Sequence, residues 1–143
     1  MKKKTLGFAL GAGGSRGVAH IGFLQAMEEA GIRPDYITGC SMGSVVGGAY
    51  AAGVDLEQMR QAVFKLRLLD IIAPTTKRGG FSDTNKIRKV LEKYIGNPDF
   101  ADLKIPFHCI AVDMVTQTTF EFTEGNVIEG IIASSTIPIV FKP

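Results

Sequence analysis

The sequence predicts an α/β fold with a mainly parallel central sheet. Over the first ninety residues, short apolar strand-like runs alternate with helix-like segments. The strand runs pass directly into glycine-rich turns or helix starts, and 45% hydrophobic residues across 143 positions are enough to bury a core. Strands connected through helices lie parallel, because each helical crossover carries the chain back to the end where the previous strand began. The length fits one domain, spanning residues 1–143.

Thr5 to Leu10 is an apolar run without polar alternation, the pattern of a strand buried on both faces. A glycine-rich turn follows from Gly11 to Gly17. Apolar residues then recur at Val18, Ile21, Phe23, Leu24 and Met27, with Glu28 and Glu29 on the other side and Gly31 as a stop, which predicts an amphipathic helix over 18–30. Pro34-Asp35 turns the chain into a second strand at Tyr36-Ile37-Thr38, and helix resumes from Met42 to Ala52. Further helices are expected over 55–69 and 83–94, the latter with Ile87, Val90, Leu91 and Tyr94 on one face. Ile71 to Ser82 has no clear period and reads as a surface loop. Residues 106–114 and 118–123 read as neighbouring strands, and a helix starts near Asn126. The apolar, proline-marked end from Ser134 to Pro143 reads as unfinished, so the domain is expected to be incomplete at its C-terminal end.

Composition excludes several function classes. Sixteen Lys and Arg stand against fourteen Asp and Glu, for a net charge of +2, and three of the positives are Lys2, Lys3 and Lys4. Such a balance gives no support to nucleic-acid binding. Cys40 and Cys109 form no CxxC pair and no Cys/His cluster, which argues against a disulfide scaffold or a structural zinc site. The basic start followed by Thr5–Gly14 has the outline of a secretory signal, but Gly7, Gly11, Gly13 and Gly14 dilute its apolar part; a buried strand entering a glycine loop explains it better. No stretch approaches the roughly 18–20 apolar residues of a membrane span, and a cytoplasmic location is expected.

Chemistry concentrates at two loops. Gly39-Cys40-Ser41-Met42-Gly43 matches G-x-S-x-G between a predicted strand and a predicted helix. A sharp strand-to-helix turn brings the chain before the serine close to the chain after it, and Gly39 and Gly43 remove the side chains that would collide. Ser41 is then a candidate nucleophile at a helix N-terminus; the plainer alternative is a serine that only caps that helix. The second loop, Gly11–Gly17, can turn successive amides towards an anion. That fits an oxyanion hole, and equally the phosphate loop of a nucleotide-binding fold. The strict G-x-G-x-x-G pattern fails, since ending it at Gly17 requires glycine at Ala12, and Asp35 precedes its strand where a ribose-binding acid would end it. In a parallel sheet both loops emerge at the carboxyl ends of adjacent strands, so amide donors and Ser41 can face one crevice, as acyl transfer requires.

No histidine makes a convincing base for Ser41. His108 lies in the apolar run Phe107–Val112, the setting of a core or edge-strand residue, and His20 sits in the first turn of the first helix. The α/β-hydrolase order also takes its oxyanion amide from a loop after a third strand, whereas only two strands precede Ser41. A Ser–carboxylate dyad is favoured.

Taken together, the ordered motifs resemble the patatin-like phospholipase family, in particular its small bacterial members. The marks are Gly13-Gly14-Ser15-Arg16-Gly17 followed by Ala19-His20-Ile21-Gly22, then Gly39-Cys40-Ser41-Met42-Gly43, then Ala111-Val112-Asp113-Met114 with Thr118, and finally Ala133-Ser134-Ser135-Thr136-Ile137-Pro138 with Phe141-Lys142-Pro143. The resemblance covers essentially the whole chain. It implies a three-layer α/β/α sandwich and hydrolysis of acyl esters of lipids through a Ser–Asp dyad. By the same resemblance Ser41 is the catalytic nucleophile, the amides of Gly13 and Gly14 form the oxyanion hole, and Arg16 orients the loop or meets a lipid phosphate. No metal or organic cofactor is implied. The implied partner is a lipid or acyl-ester substrate, with peripheral membrane contact a further expectation; apolar residues around Phe64 to Phe81 read either as a lipid-facing cap or, preferably, as helix core.

Two departures stand out. Ala12 occupies a position where the family often has glycine. The family's catalytic aspartate lies in an Asp-Gly-Gly or Asp-Gly-Ala motif shortly after the segment that ends here at Pro143, and no Asp-Gly occurs in the chain. Asp113 falls at a family position that looks structural. The dyad's aspartate is therefore expected beyond this chain, and a catalytically silent lipid- or protein-binding module is the alternative.

Overall fold

Two helical crossovers and one hairpin organise the protein. A computed structural model describes residues 4–72 and 84–136. In chain order these form β1 (Gly7–Leu10), a 3₁₀ turn at Gly14–Val18, α1 (Ala19–Glu29), β2 (Tyr36–Cys40), α2 (Met42–Ala52) and α3 (Leu56–Ile72). Then follow α4 (Thr84–Ile95), a 3₁₀ turn at Phe100–Asp102, β3 (Phe107–Asp113), β4 (Thr118–Phe122) and α5 (Val127–Ser135).

The sheet order is β1-β2-β3-β4. β1 and β3 both run parallel to β2, with Leu10 opposite Gly39 and Gly39 opposite Cys109, while β4 returns antiparallel to β3. The result is the expected α/β architecture on a mainly parallel, mixed sheet with flanking helices. A hairpin needs only a short turn to reverse direction, which is why β3 and β4 pair without a helix between them.

α2 and α5 pack against one sheet face. Glycines in α2 permit the approach: a Cβ on Gly48 would stand 2.6 Å from Ile131 Cδ1, and one on Gly47 would press on Ile37, Leu10 and Phe107. The core between them contains Leu10, Ile37, Val46, Phe107, Cys109, Val127, Ile128 and Ile131. Phe107 stacks on Phe100 with ring centroids 5.9 Å apart. The start of α5 is fixed by Asn126, whose side chain accepts from the Glu129 N–H at 3.1 Å. On the exposed side of α5, Glu129 takes both guanidinium nitrogens of Arg88 on α4, and this fork holds its carboxyl below the ordinary range.

Several sequence expectations shift. β1 starts at Gly7 and is not buried on both faces: Phe8 and Leu10 are buried while Ala9 is exposed, because alternate side chains point to opposite faces and α2 covers the one that takes Leu10. The segment read as one helix from Val18 begins as the 3₁₀ turn and becomes α-helical at Ala19. α3 continues through Ile71 and Ile72, where the sequence pattern predicts a loop; the rest of that predicted loop, 73–82, lies outside the described residues. Phe64 is not core, since 68% of its surface is exposed, and Phe81 lies outside the described residues.

Two predictions follow from this packing. Phe107→Ala should cost about 3–5 kcal/mol in urea unfolding, because it removes a fully enclosed ring and leaves a cavity. The second concerns alkaline pH. Burial, reinforced by the hydrogen bond that Tyr50 donates to Glu28, pushes the Tyr50 phenol up to about 12, and burial pushes the Cys109 thiol up to about 12. Both groups hold their protons more tightly folded than unfolded, so their contribution is complete below the ordinary values of 9.0 and 10.0 and disappears as pH rises towards 12. The unfolding midpoint should therefore fall between pH 9 and 12, and Tyr50→Phe should flatten that fall.

Candidate active site

β2 ends at Cys40 and α2 begins at Met42, leaving one residue to make the turn. That residue, Ser41, has φ 54° and ψ −121°. A side-chain-bearing residue in this region carries strain of about 1–3 kcal/mol, which persists only where the surroundings impose it. Gln117, in the β3–β4 turn, is the other non-glycine residue with positive φ among those described.

Glycine makes the turn possible at two contacts. A Cβ on Gly39 would lie 2.6 Å from Ser44 Cα and 2.7 Å from the Gly43 carbonyl oxygen, so the chain ahead of Ser41 does pass against the chain behind it. Gly43 has a different neighbour: a Cβ there would collide with the carbonyls of Leu10 and Gly11 at the end of β1. The turn is thus pressed onto the mouth of the glycine loop as well as onto itself. Gly17, in the loop's 3₁₀ turn, completes the contact, since a Cβ on it would stand 2.5 Å from Met42 Cβ.

The backbone of Ser41 is held from both sides. Its N–H donates to Ser134 Oγ at 2.9 Å. Its carbonyl accepts from the N–H groups of Ser44 at 2.9 Å and Val45 at 3.2 Å, from Ser44 Oγ at 2.6 Å and from Ser135 Oγ at 3.4 Å. Ser44 is fully buried and spends its hydroxyl on this carbonyl. The Ser41 side chain itself is half-buried, and among the described residues its hydroxyl has no hydrogen-bond partner. It stands at the N-terminus of an 11-residue helix, where unpaired amides and the helix dipole favour negative charge.

The glycine loop lies beside it. Arg16 N–H donates to the Gly13 carbonyl at 3.0 Å and closes the 3₁₀ turn, which leaves the amides of Gly14 and Ser15 without acceptors inside that turn. Gly14 has φ +51°, a conformation glycine adopts without penalty. His20 is bonded at Nε2 to the Gly11 carbonyl at 2.8 Å, so it braces the loop, in keeping with a structural role. Ala12 is exposed and the loop accommodates it.

The patatin-like phospholipase family model matches residues 8–143. The chain belongs to the patatin-like phospholipase family. An NTE family protein of Mycobacterium bovis is 34% identical over 137 aligned positions, an alignment covering 94% of this chain and 38% of that protein. Lysophospholipase nte1 of Aspergillus fumigatus is 30% identical over 149 aligned residues, 98% of this chain and 10% of its own. This chain therefore spans well under half the length of these relatives. VipD from Legionella pneumophila shares the fold, with a TM-score of 0.55 at 12% identity over 99% of this chain and 44% of its own.

The remaining residues of the patatin-like motifs divide clearly. Asp113, at the end of β3, accepts from the N–H groups of Val115 at 2.8 Å and Thr116 at 3.3 Å; these bonds hold its carboxyl below the ordinary range and make it a turn brace. His108 is away from the turn. It pairs with Thr38 in register, and its Nδ1 lies 3.0 Å from Glu121. Its apolar run predicts a core or edge-strand residue; β3 is an inner strand among the described residues, and its alternation sends Phe107 and Cys109 inward and His108 outward, leaving the His108 side chain about half exposed. Arg16 is exposed on the loop, and its amide closes the turn. Ser44, Ser134 and Ser135 had no individual role in the sequence reading. For Ser44 the available signal is a serine three positions after Ser41 within the small and apolar run of 42–52; the other two are 93 and 94 positions distant, and only the fold brings them in.

Gly43→Ala should be poorly tolerated. The added methyl meets backbone carbonyls of β1, which have no rotamer to yield, so a stability loss of about 1–3 kcal/mol or more is expected in thermal unfolding.

Proposed function

We propose that this protein is a serine hydrolase that cleaves acyl esters of lipids, with Ser41 as the nucleophile. The observation that carries the reading is the strained, half-exposed turn at Ser41, set at a helix N-terminus against the glycine loop. Membership of the patatin-like phospholipase family and the lysophospholipase name of the fungal relatives support a lipid ester as substrate.

In this mechanism Ser41 Oγ attacks the ester carbonyl while its proton passes to a carboxylate. The tetrahedral oxyanion is met by the amides of Gly13 and Gly14, joined by the amide of Met42 at the start of α2, where no intrahelical acceptor competes. Collapse expels the alcohol, which takes the proton from the carboxylic acid. Water, deprotonated by the same carboxylate, then hydrolyses the acyl-enzyme, releasing the fatty acid and restoring Ser41. On this reading the proton acceptor is an aspartate, and no carboxylate among the described residues bonds to Ser41. Arg16 stands on the loop rim as a contact for a lipid phosphate.

The test is Ser41→Ala in the natural full-length protein. Hydrolysis of p-nitrophenyl butyrate and of a lysophospholipid should fall at least about 10³-fold, as expected for loss of a nucleophile, and fluorophosphonate labelling should vanish. Wild-type protein that binds lipid vesicles but neither labels nor hydrolyses would point to the silent binding module instead.

A further inference from the structure

We propose that Ser134 is a positioning residue for the nucleophile, acting through the amide of Ser41; the inference rests on the hydrolase reading above. Both strand ladders stop short of Ser41: β1 ends with Leu10 opposite Gly39, and the last pair between β2 and β3 is Cys40 with Ile110. The Ser41 N–H points out of the sheet at a part-buried position with no neighbouring strand to receive it. Ser134 Oγ receives it at 2.9 Å.

α5 brings Ser134 there by its face. Gly130 packs on Phe100 and Cys109, and Ile131 packs on Gly48 of α2. Ser134 lies four and three residues further on, so it shares the inward face of α5 one turn later. The helix begins beside Pro98 and Asn97, since Val127 N–H donates to the Pro98 carbonyl and Asn126 Nδ2 to Asn97 Oδ1. Its last turn therefore arrives at the end of the sheet where Ser41 sits.

The two serines of that turn are not equivalent. Ser135 donates to a carbonyl that already accepts three other hydrogen bonds, from Ser44 N–H, Val45 N–H and Ser44 Oγ. Ser134 is the acceptor of the single hydrogen bond made by the Ser41 amide among the described residues. Without it the Ser41 N–H is left unpaired at a part-buried position, and the turn, still anchored by its glycine contacts, gains enough local freedom for Oγ to drift off its line of attack. Reaction rates are steep in such displacements, with about 1 Å costing up to 10²-fold.

The experiment uses the natural full-length protein, with p-nitrophenyl butyrate turnover, fluorophosphonate labelling rate and Tm measured on each variant. Ser134→Ala and the near-isosteric Ser134→Cys, whose sulfur is a weak acceptor, should lose about tenfold or more in kcat and labelling rate, with KM within about twofold of wild type. Ser134→Thr keeps the hydroxyl and should recover most of that loss. Ser135→Ala should lose less than Ser134→Ala. Thr136→Ala controls for damage to the helix end: its Oγ1 donates to the Ile132 carbonyl at 2.7 Å in the same turn, away from Ser41, so it should lower Tm without lowering kcat. Should Ser134→Ala fail to fold, Ser134→Cys carries the comparison. A kcat loss below tenfold in the folded Ser134 variants, a Ser134→Thr as impaired as Ser134→Ala, or an equal kcat loss in Thr136→Ala overturns the inference while leaving the hydrolase reading intact. Turnover that survives Ser41→Ala overturns both.

Discussion

One residue must join a parallel strand to a buried helix without a loop, and the rest of the site follows from how that junction is forced. Ser41 takes φ 54° because β2 delivers the chain at the level of Cys40 and α2 has to start at Met42 to lay its glycine face on the sheet. The strain is small beside the apolar burial of α2, whose residues 42–44 and 46–51 are all buried. Packing of the helix therefore dictates the conformation of the turn, and the turn cannot relax without pulling the helix off the core.

The same junction explains why glycine recurs around it. Gly39 lets the chain fold back on Gly43 and Ser44; Gly43 lets the turn rest on the last carbonyls of β1; Gly17 lets the loop's 3₁₀ turn sit against Met42. Each contact is backbone against backbone or against the base of a side chain, where no rotamer change can make room. The Ser41 turn and the glycine loop are consequently held together, with the loop amides and the Ser41 hydroxyl placed by the same contacts. On the proposed reading, donors fixed in this way before the reaction need no reorganisation as charge develops.

On the proposed reading, the described residues hold most of the acylation machinery. They hold the nucleophile, the amides for the oxyanion, and the serine clamp from α5. Among the described residues the candidate bases are engaged elsewhere: His20 is committed to the Gly11 carbonyl, His108 stands on the outer side of β3 beside Glu121, and Asp113 is committed to the amides of its own turn. A lone serine hydroxyl is a weak nucleophile at neutral pH, so the proton acceptor governs the rate without altering the geometry that places Ser41.

The amino-acid sequence by itself determined the alternation of strands and helices, the parallel pairing, and the two loops at which chemistry gathers, because those depend on periodicity and on glycine at fixed short spacings. It also specified that Gly39 relieves a local collision, since both partners lie within five residues. Only the tertiary structure decided that β1 is half exposed, that Gly43 faces β1, that His108 points outward, and that Ser134 and Ser135 close on Ser41. Each of those depends on which element lies alongside which, and on the register between them. A contact across 93 residues leaves no local pattern; it exists because α5 crosses the sheet at a particular height, a quantity fixed by Gly130 and Ile131 meeting Cys109 and Gly48 in the core.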